Sequence, residues 1–483
     1  MRGEGKGYVG GGSRTCEVGT GWLVSFSEGA RVAVGWRQGW KHARSGFGLS
    51  GAPYPRPLPA EGEGRRPVPA FPDDLAWQGL TLPPGVPLMS PLATLSNARP
   101  ALAAFAAMGV LWGTFAAVLP DLKAMLGVDE AQLGLLIFCT PIAAITAMLL
   151  APAFGAALGR AALPLAVFLM AVAFALPGQA SALWLFPLAM ACAGAATGLT
   201  DVLMNARVSA METARGAPLM NLTHAVYSFG YAGGAILTGV MRGAGWGPGT
   251  VMAVMAGVGL LCAALTIEAD GRIEGLRKPR DGTALPLGWV PVIGGGIVLI
   301  AFMTENAAEN WSALHIEKTL GGTPAQGALG PAALALTMGF ARLGGQWLAG
   351  RVSPFLLLRV GAVVAAIGAL IASQASAPGG AYLGFIVMGV GASVLAPTAF
   401  SLVGQLSRPE ARARAVARAT LLGYFGYFFG PPVLGVIAGT FGLRMAFVFA
   451  ACLVSAVFLL APLLARHSAP NPEDPENPAI VKT

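Results

Sequence analysis

The sequence predicts an all-α integral membrane protein of twelve transmembrane helices, arranged as two six-helix bundles with both termini in the cytoplasm. Three observations carry this expectation. First, the 483 residues are 55% hydrophobic and only 11% charged, where a soluble domain carries about 25% charged residues. Such an alphabet cannot build a water-soluble surface, so the medium is lipid. Second, from Arg99 onward apolar runs alternate with short breaks, and a run of about 20 residues is what a helix needs to cross the hydrocarbon. Third, Lys and Arg fall unevenly between the two sets of breaks, as they do when one set faces the cytoplasm.

The runs give spans near 100–120, 131–153, 161–177, 182–209, 219–241, 247–268, 287–310, 326–348, 355–374, 379–405, 413–437 and 443–465. Their length selects helices, because barrel strands would appear as short alternating segments. With the N-terminus inside, fifteen basic residues fall at cytoplasmic ends, among them Arg99, Arg160, Arg207, Arg272 and Arg351. Only Lys123, Arg242, Lys318 and Arg444 fall in outer loops. The longest charged break, "EADGRIEGLRKPRDGTALP", divides six spans from six. The halves also echo each other. Trp112 and Trp311 each lead through a short loop into "AQLGLL" and "AQGALG", and the next spans end near Gly159-Arg160 and Gly350-Arg351. A duplicated transporter would place its repeats this way. The expected organisation is therefore an N-terminal bundle over 96–268, a linker over 269–286, a C-terminal bundle over 287–466 and a cytoplasmic tail over 467–483.

Residues 1–95 belong to a different regime, rich in Gly, Pro, Arg and Trp. We read them as a disordered extension. No apolar segment followed by a cleavage site marks a signal peptide. Met89 opens "MSPLATLSNARPALAAFAAMGV", which reads as the start of a membrane protein, so the extension is expected to be a mis-assigned start. The five cysteines are scattered and form no CxxC or Cys/His cluster, so neither zinc nor a disulfide framework is expected. The basic residues form no single patch, which argues against nucleic acid as a partner.

Function is read from polar residues inside the spans, because a charge in the bilayer costs a few kcal/mol and needs a partner, a wet cavity or a task. Residues 161–200 carry no charge, and then "TDVLMNARVSAMET" begins. Thr197, Asp201, Asn205, Ser209 and Glu212 fall along one helical face. Asp201 is read either as a helix-end carboxylate paired with an arginine or as a protonatable or substrate-binding group in a central cavity. In "LMNLTHAVYSFGYAGG", His224, Ser228 and Tyr231 share a face, with Tyr227 beside it. His224 is either a packing residue or a proton carrier. In "TENAAENWSALH", Glu305 is the cavity candidate, Glu309 is assigned to the outer surface and Trp311 to an interfacial belt. Ser393, Ser401 and Gln405 repeat at fours and eights, and Tyr424 and Tyr427 lie in "GYFGYFFGPP", whose Pro431-Pro432 pair predicts a kink. Trp112, Tyr227, Tyr231 and Tyr424 suit stacking on a sugar ring or enclosing an apolar compound.

On "TDVLMNA", "HAVYSFGYAGG", "ENWSALHI" and "GYFGYFFGPP" the chain resembles the major facilitator superfamily, and within it the fucose-permease-like branch, over about residues 96–466. The resemblance implies two bundles, a central site and alternating access. It also implies a proton-coupling role for Asp201 with Asn205. Two departures count against fucose itself: the branch's first-helix aspartate is Ala116 and its helix-5 asparagine is Tyr227. The superfamily's cytoplasmic latch motif ends Asp-Arg, but Gly159 and Gly350 replace the acid while Arg160 and Arg351 remain.

The expectation is a secondary transporter of a small solute, proton-coupled and taking a sugar-like substrate, or alternatively a proton-driven exporter of drugs or metabolites. Asp201, Glu305 and His224 are the proton-coupling candidates. Asn205, Tyr227, Tyr231, Trp112, Thr197, Ser228, Ser401 and Tyr424 are the substrate-binding candidates. No metal-ligand spacing or nucleophile elbow marks an enzyme, and no cofactor is expected beyond a proton gradient. The expected partners are the solute and the lipid of a cytoplasmic membrane, with the protein acting as a monomer.

Overall fold

The computed structural model describes residues 13–18, 22–27, 31–35, 91–215, 219–273, 287–349, 351–408 and 411–466. The chain divides into two compact units, Met1–Val86 and Pro87–Thr483. In the first unit, strands β1 (Ser13–Val18), β2 (Trp22–Ser27) and β3 (Arg31–Gly35) form an antiparallel meander in the order β1-β2-β3. This corrects the expectation of disorder for that stretch. Val18, Trp22, Val24, Phe26, Val32 and Val34 supply the β-branched and aromatic residues that suit a pleated surface, and glycine-containing triplets separate the three runs in the sequence. The remaining residues of the extension, Met89, the linker beyond Ile273, Gly350 and the tail after Arg466 lie outside the described residues.

The second unit consists of helices and their connecting loops among its described residues. Helices α1 (Pro91–Leu126), α2 (Glu130–Ile137), α3 (Cys139–Leu158), α4 (Ala162–Ala175), α5 (Leu185–Arg215), α6 (Met220–Gly243) and α7 (Pro248–Leu265) precede the linker. Helices α8 (Val290–Leu314), α9 (Pro324–Ala349), α10 (Pro354–Gln374), α11 (Pro378–Ala392), α12 (Leu395–Leu406), α13 (Arg412–Phe441), α14 (Leu443–Ser455) and α15 (Val457–Arg466) follow it. A π-helical turn, His315–Thr319, extends α8. Among the described residues nine segments are long and apolar enough to cross a membrane. Their outward faces are apolar: Leu149 is 75% exposed and Leu261 70%, which lipid accepts and water would not.

Local chemistry sets the element ends. Gly127 adopts φ 65° after α1, a left-handed conformation that stops a helix at little cost to glycine. Asp129 then opens α2 through a capping box, its Oδ1 accepting from the Gln132 amide at 2.8 Å while Gln132 Oε1 accepts from the Asp129 amide at 3.1 Å. Proline occupies the first turn of α7, α10 and α11, where its missing N–H costs nothing. Pro431 and Pro432 lie inside α13, which nonetheless runs as one helix.

Helix pairing rests on small residues, since van der Waals packing replaces the hydrophobic drive between helices in lipid. A Cβ at Gly109 or Gly113 on α1 would overlap the Tyr227 or Tyr231 carbonyl of α6, and one at Gly194 or Gly198 on α5 would overlap the Thr140 or Ala144 carbonyl of α3. The pairings repeat on either side of the linker. Before it α1 packs on α6, α5 on α3 and α4 on α7; after it α8 packs on α13, α11 on α9 and α10 on α14. The two halves meet chiefly through α6 on α9 and α2 on α13.

Candidate functional site

A cavity of about 270 Å³ lies between the two halves. Its walls come from α1, α2, α3, α5 and α6 on one side and α8, α9 and α13 on the other. Apolar surface predominates in Phe105, Met108, Ile137, Ile145, Met148, Met204 and Phe302, and an aromatic group is formed by Trp112, Tyr227, Tyr231, Tyr424 and Tyr427. Into this space turn Asp201, Glu305, Glu309, His224 and Arg342.

Asp201 is held from both halves. Its Oδ2 accepts from the Tyr424 hydroxyl of α13 at 2.9 Å, and its Oδ1 accepts from Asn205 Nδ2, one turn along α5, at 3.1 Å. It makes no ion pair among the described residues, so the helix-end pairing with an arginine does not hold. The arginine of that helix, Arg207, instead grips Glu268 with two bonds of 2.8 Å. The foot of the polar stripe has a different use again: Glu212 accepts from the Leu219 and Met220 amides and caps α6.

Glu305 accepts from the Tyr427 hydroxyl at 3.3 Å. Phe302 stacks on Tyr427 at 4.7 Å between ring centroids and holds that ring against the cavity. His224 faces the cavity with its ring edge-on to Phe105 at 5.0 Å, and no hydrogen bond joins it to Asp201 among those described. Tyr227 and Tyr231 stand side by side on α6, 6.1 Å apart.

Of the residues expected from the sequence, Asp201, Glu305, His224, Tyr227, Tyr231, Trp112, Thr197 and Tyr424 all line the cavity. Asn205 stands behind Asp201 as its support. Ser228 is buried beneath the wall, where it accepts from Arg342 Nη1 at 2.6 Å and bonds its own helix at the His224 carbonyl. Ser401 is excluded: it is exposed and accepts from Gln405 one turn away at 2.9 Å. Ser393 and Thr420 likewise bond their own helix backbones.

Two further corrections concern α8. Glu309 lines the cavity rather than the outer surface, because the same four-residue spacing that aims Glu305 inward aims Glu309 inward as well. Trp311 is fully buried and sits against Gly435 of α13 instead of in an interfacial belt. Arg342 went unread in the sequence altogether. Its signal was the one that exposed Asp201, a lone charge inside an apolar run, here "LTMGFARLGG".

One end of the molecule is tied shut across the halves. Arg242 at the end of α6 is buried and forks onto Asp121 of α1 with two bonds of 2.6 Å. It also reaches Glu317 beyond α8 at 2.7 and 3.0 Å. Beside it Glu130 of α2 takes Lys318 at 2.5 Å and Lys123 at 3.6 Å. At the other end Gly159 adopts φ 56°, a conformation open to glycine and disfavoured for residues with a side chain.

The comparisons agree with this architecture. A family model described as Major Facilitator Superfamily matches residues 293–481. An uncharacterised MFS-type transporter of Yersinia pestis is 32% identical over 357 residues, covering 73% of this chain and 92% of that protein. Membrane protein MosC of Rhizobium meliloti is 25% identical, covering 76% and 89%. Among solved structures, the D-xylose-proton symporter superposes with a TM-score of 0.62 at 16% identity over 76% of this chain and 97% of its own. The nucleoside transporter NupG gives 0.62 at 13% over 78% and 99%. These two support the fold alone. The identity and coverage of the Yersinia pestis relative, with the family-model match, place the chain, as a multi-pass membrane transporter and not an enzyme, in the major facilitator superfamily.

Proposed function

We propose that the protein is a proton-coupled secondary transporter that moves a small polar solute by alternating access, with Asp201 as the group that gains and loses the proton. The observation that carries this is the Asp201–Tyr424 bond. It links a carboxyl of the first half to a hydroxyl of the second, at the wall of the cavity between them, so any rocking of the halves changes the partners of that carboxyl. Burial in a low-dielectric site favours the neutral form of a carboxyl and access to water favours the charged one. A group exposed to each side in turn can therefore carry a proton with the solute.

The layout we infer is twelve spans, six in each half, with both termini in the cytoplasm of a bacterial cell and the protein in the inner membrane as a monomer. The repeated pairing of helices across the linker supports the two halves. The segment Glu130–Gln179 has 50 residues, about 75 Å of helix at 1.5 Å per residue against a hydrocarbon core of about 30 Å, so it makes two crossings. Helices α6 and α9 complete the count. They fall outside the nine apolar segments, and they carry His224 and Arg342. The bias of Lys and Arg supports the orientation. The ion pairs at Arg242 and Lys318 then close the outer end.

The aromatic walls favour a solute with a sugar-like ring. Efflux of an apolar compound is the second reading, favoured by the methionine and isoleucine wall of the same cavity. Reconstituted protein tests the proton role. Asp201→Asn is expected to abolish uphill accumulation of the solute driven by a pH gradient while leaving solute-for-solute exchange intact. Undiminished uphill accumulation by the variant would refute Asp201 as the coupling group.

A further inference from the structure

The acids of the cavity can shed their charge by taking a proton, but Arg342 cannot, because a guanidinium remains protonated at any pH the cell reaches. That asymmetry bears on the substrate. None of the described ion pairs includes Arg342, although Glu305 and Glu309 line the same cavity. Its one described hydrogen bond runs from Nη1 to the neutral hydroxyl of Ser228, at 2.6 Å. That bond anchors the head group on α6. Nε and Nη2 remain, and together they form the edge of the fork that matches a carboxylate with two parallel bonds.

Two of the three cavity acids are engaged elsewhere, while Glu309 lines the cavity with no hydrogen bond among those described. Asp201 takes donors on both oxygens, from Tyr424 and Asn205. Glu305 is turned to Tyr427. When the cavity closes around its cargo and water leaves, an unpaired cation would be stranded away from solvent with nothing to offset its desolvation.

We infer that Arg342 is the specificity-determining residue of this transporter and that the solute carries an anionic group, a carboxylate, which docks on it. This rests on the transport reading above and names its substrate class: a sugar acid or another small organic acid whose body lies against the tyrosines. Coupling follows from charge. An anion entering a cavity with three carboxyls, Asp201 on α5 and Glu305 and Glu309 on α8, is repelled while they are ionised and accepted once they are protonated. Among the described lining residues, His224 on α6 is the one further ionisable group besides the tyrosines, and in its charged form it adds to the attraction. Anion and proton therefore enter together.

The test uses three solutes that share a ring and differ in charge: glucuronate, glucose and glucosamine. Organic monocarboxylates of three to ten carbons, with their matching amides, extend the set. Detergent-purified full-length protein is titrated with each, and binding is read by thermal shift and calorimetry. The carboxylates are expected to bind at least tenfold more tightly than the neutral and cationic partners of the same shape, a difference of about 1.4 kcal/mol. Arg342→Gln is expected to erase the preference. Arg342→Lys should restore part of it, since lysine keeps the charge but loses the fork. A neutral or cationic member binding best overturns the inference, and so does the absence of binding by every carboxylate. The wild-type ranking decides the matter even if a variant fails to fold. Because binding is read without a gradient, uptake of a neutral solute with protons would sink the anion assignment and leave the transport reading standing.

Discussion

At the scale of single residues, Tyr424 is the clearest lever on Asp201. Its hydroxyl is the only described donor that reaches the carboxyl from the other half. Tyr424→Phe keeps the ring and removes the donor. A hydrogen bond to a charged group contributes about 1.5–3 kcal/mol, so uptake at low solute concentration is expected to fall by about tenfold or more. Unchanged uptake would mean that the bond carries no part of the cycle. Much of this chemistry was legible in the sequence. Asp201, His224, Glu305 and the tyrosines announced themselves as polar groups in apolar runs, and all of them reach the cavity. What sequence spacing could not supply was partnership: Asp201 and Tyr424 are 223 positions apart, and no local period links them. Arg342 escaped because basic residues were weighed as markers of membrane orientation at the span ends, and Arg342 lies within a span. Glu309 was misplaced because Trp311, two positions on, resembled a belt residue, whereas its own spacing from Glu305 was the better guide.

At the scale of elements, the apolar runs located the helices, but not their internal breaks. Phe138 separates α2 from α3, and Ser393–Val394 separate α11 from α12; both interruptions fall inside runs that read as continuous. The close approach of α1 and α6 was also hidden. It depends on Gly109 and Gly113 meeting the carbonyls of Tyr227 and Tyr231, the two residues whose rings face the cavity. Packing here therefore positions the site directly. Gly113→Leu is expected to push α6 away and to lower both the yield of monodisperse protein and its melting temperature. Gly233→Ala on α6, with no neighbouring atom within 4 Å of the added carbon, should leave both unchanged. Equal behaviour of the two variants in size-exclusion and thermal-shift measurements would show that the α1–α6 contact is not tight.

At the scale of the whole molecule, the described ion pairs that join the halves all lie at the end of Arg242 and Lys318. The cavity is thus sealed by charge at that end, and opening it must break Arg242 away from Glu317. Removing one member of a buried pair strands the others at a cost of about 3–5 kcal/mol. Arg242→Ala should accordingly shift the population toward a form open at that end. Spin labels at Ala244 and Ala377, exposed residues on the two halves, are expected to report a longer mean distance in the variant; an unchanged distance distribution would show that other contacts close the gate. The weak echo of Trp112 and Trp311 is the sequence's sign of a two-half repeat, and the helix pairings on either side of the linker support the same reading. The single measurement that bears most directly on the central claim is proton movement in proteoliposomes, followed by an external pH dye as sugars, sugar acids and small organic acids are added one at a time. The account predicts that one of them drives alkalinisation outside as it enters. A solute that crosses with no pH change, or that acidifies the outside, would contradict coupled symport through this cavity.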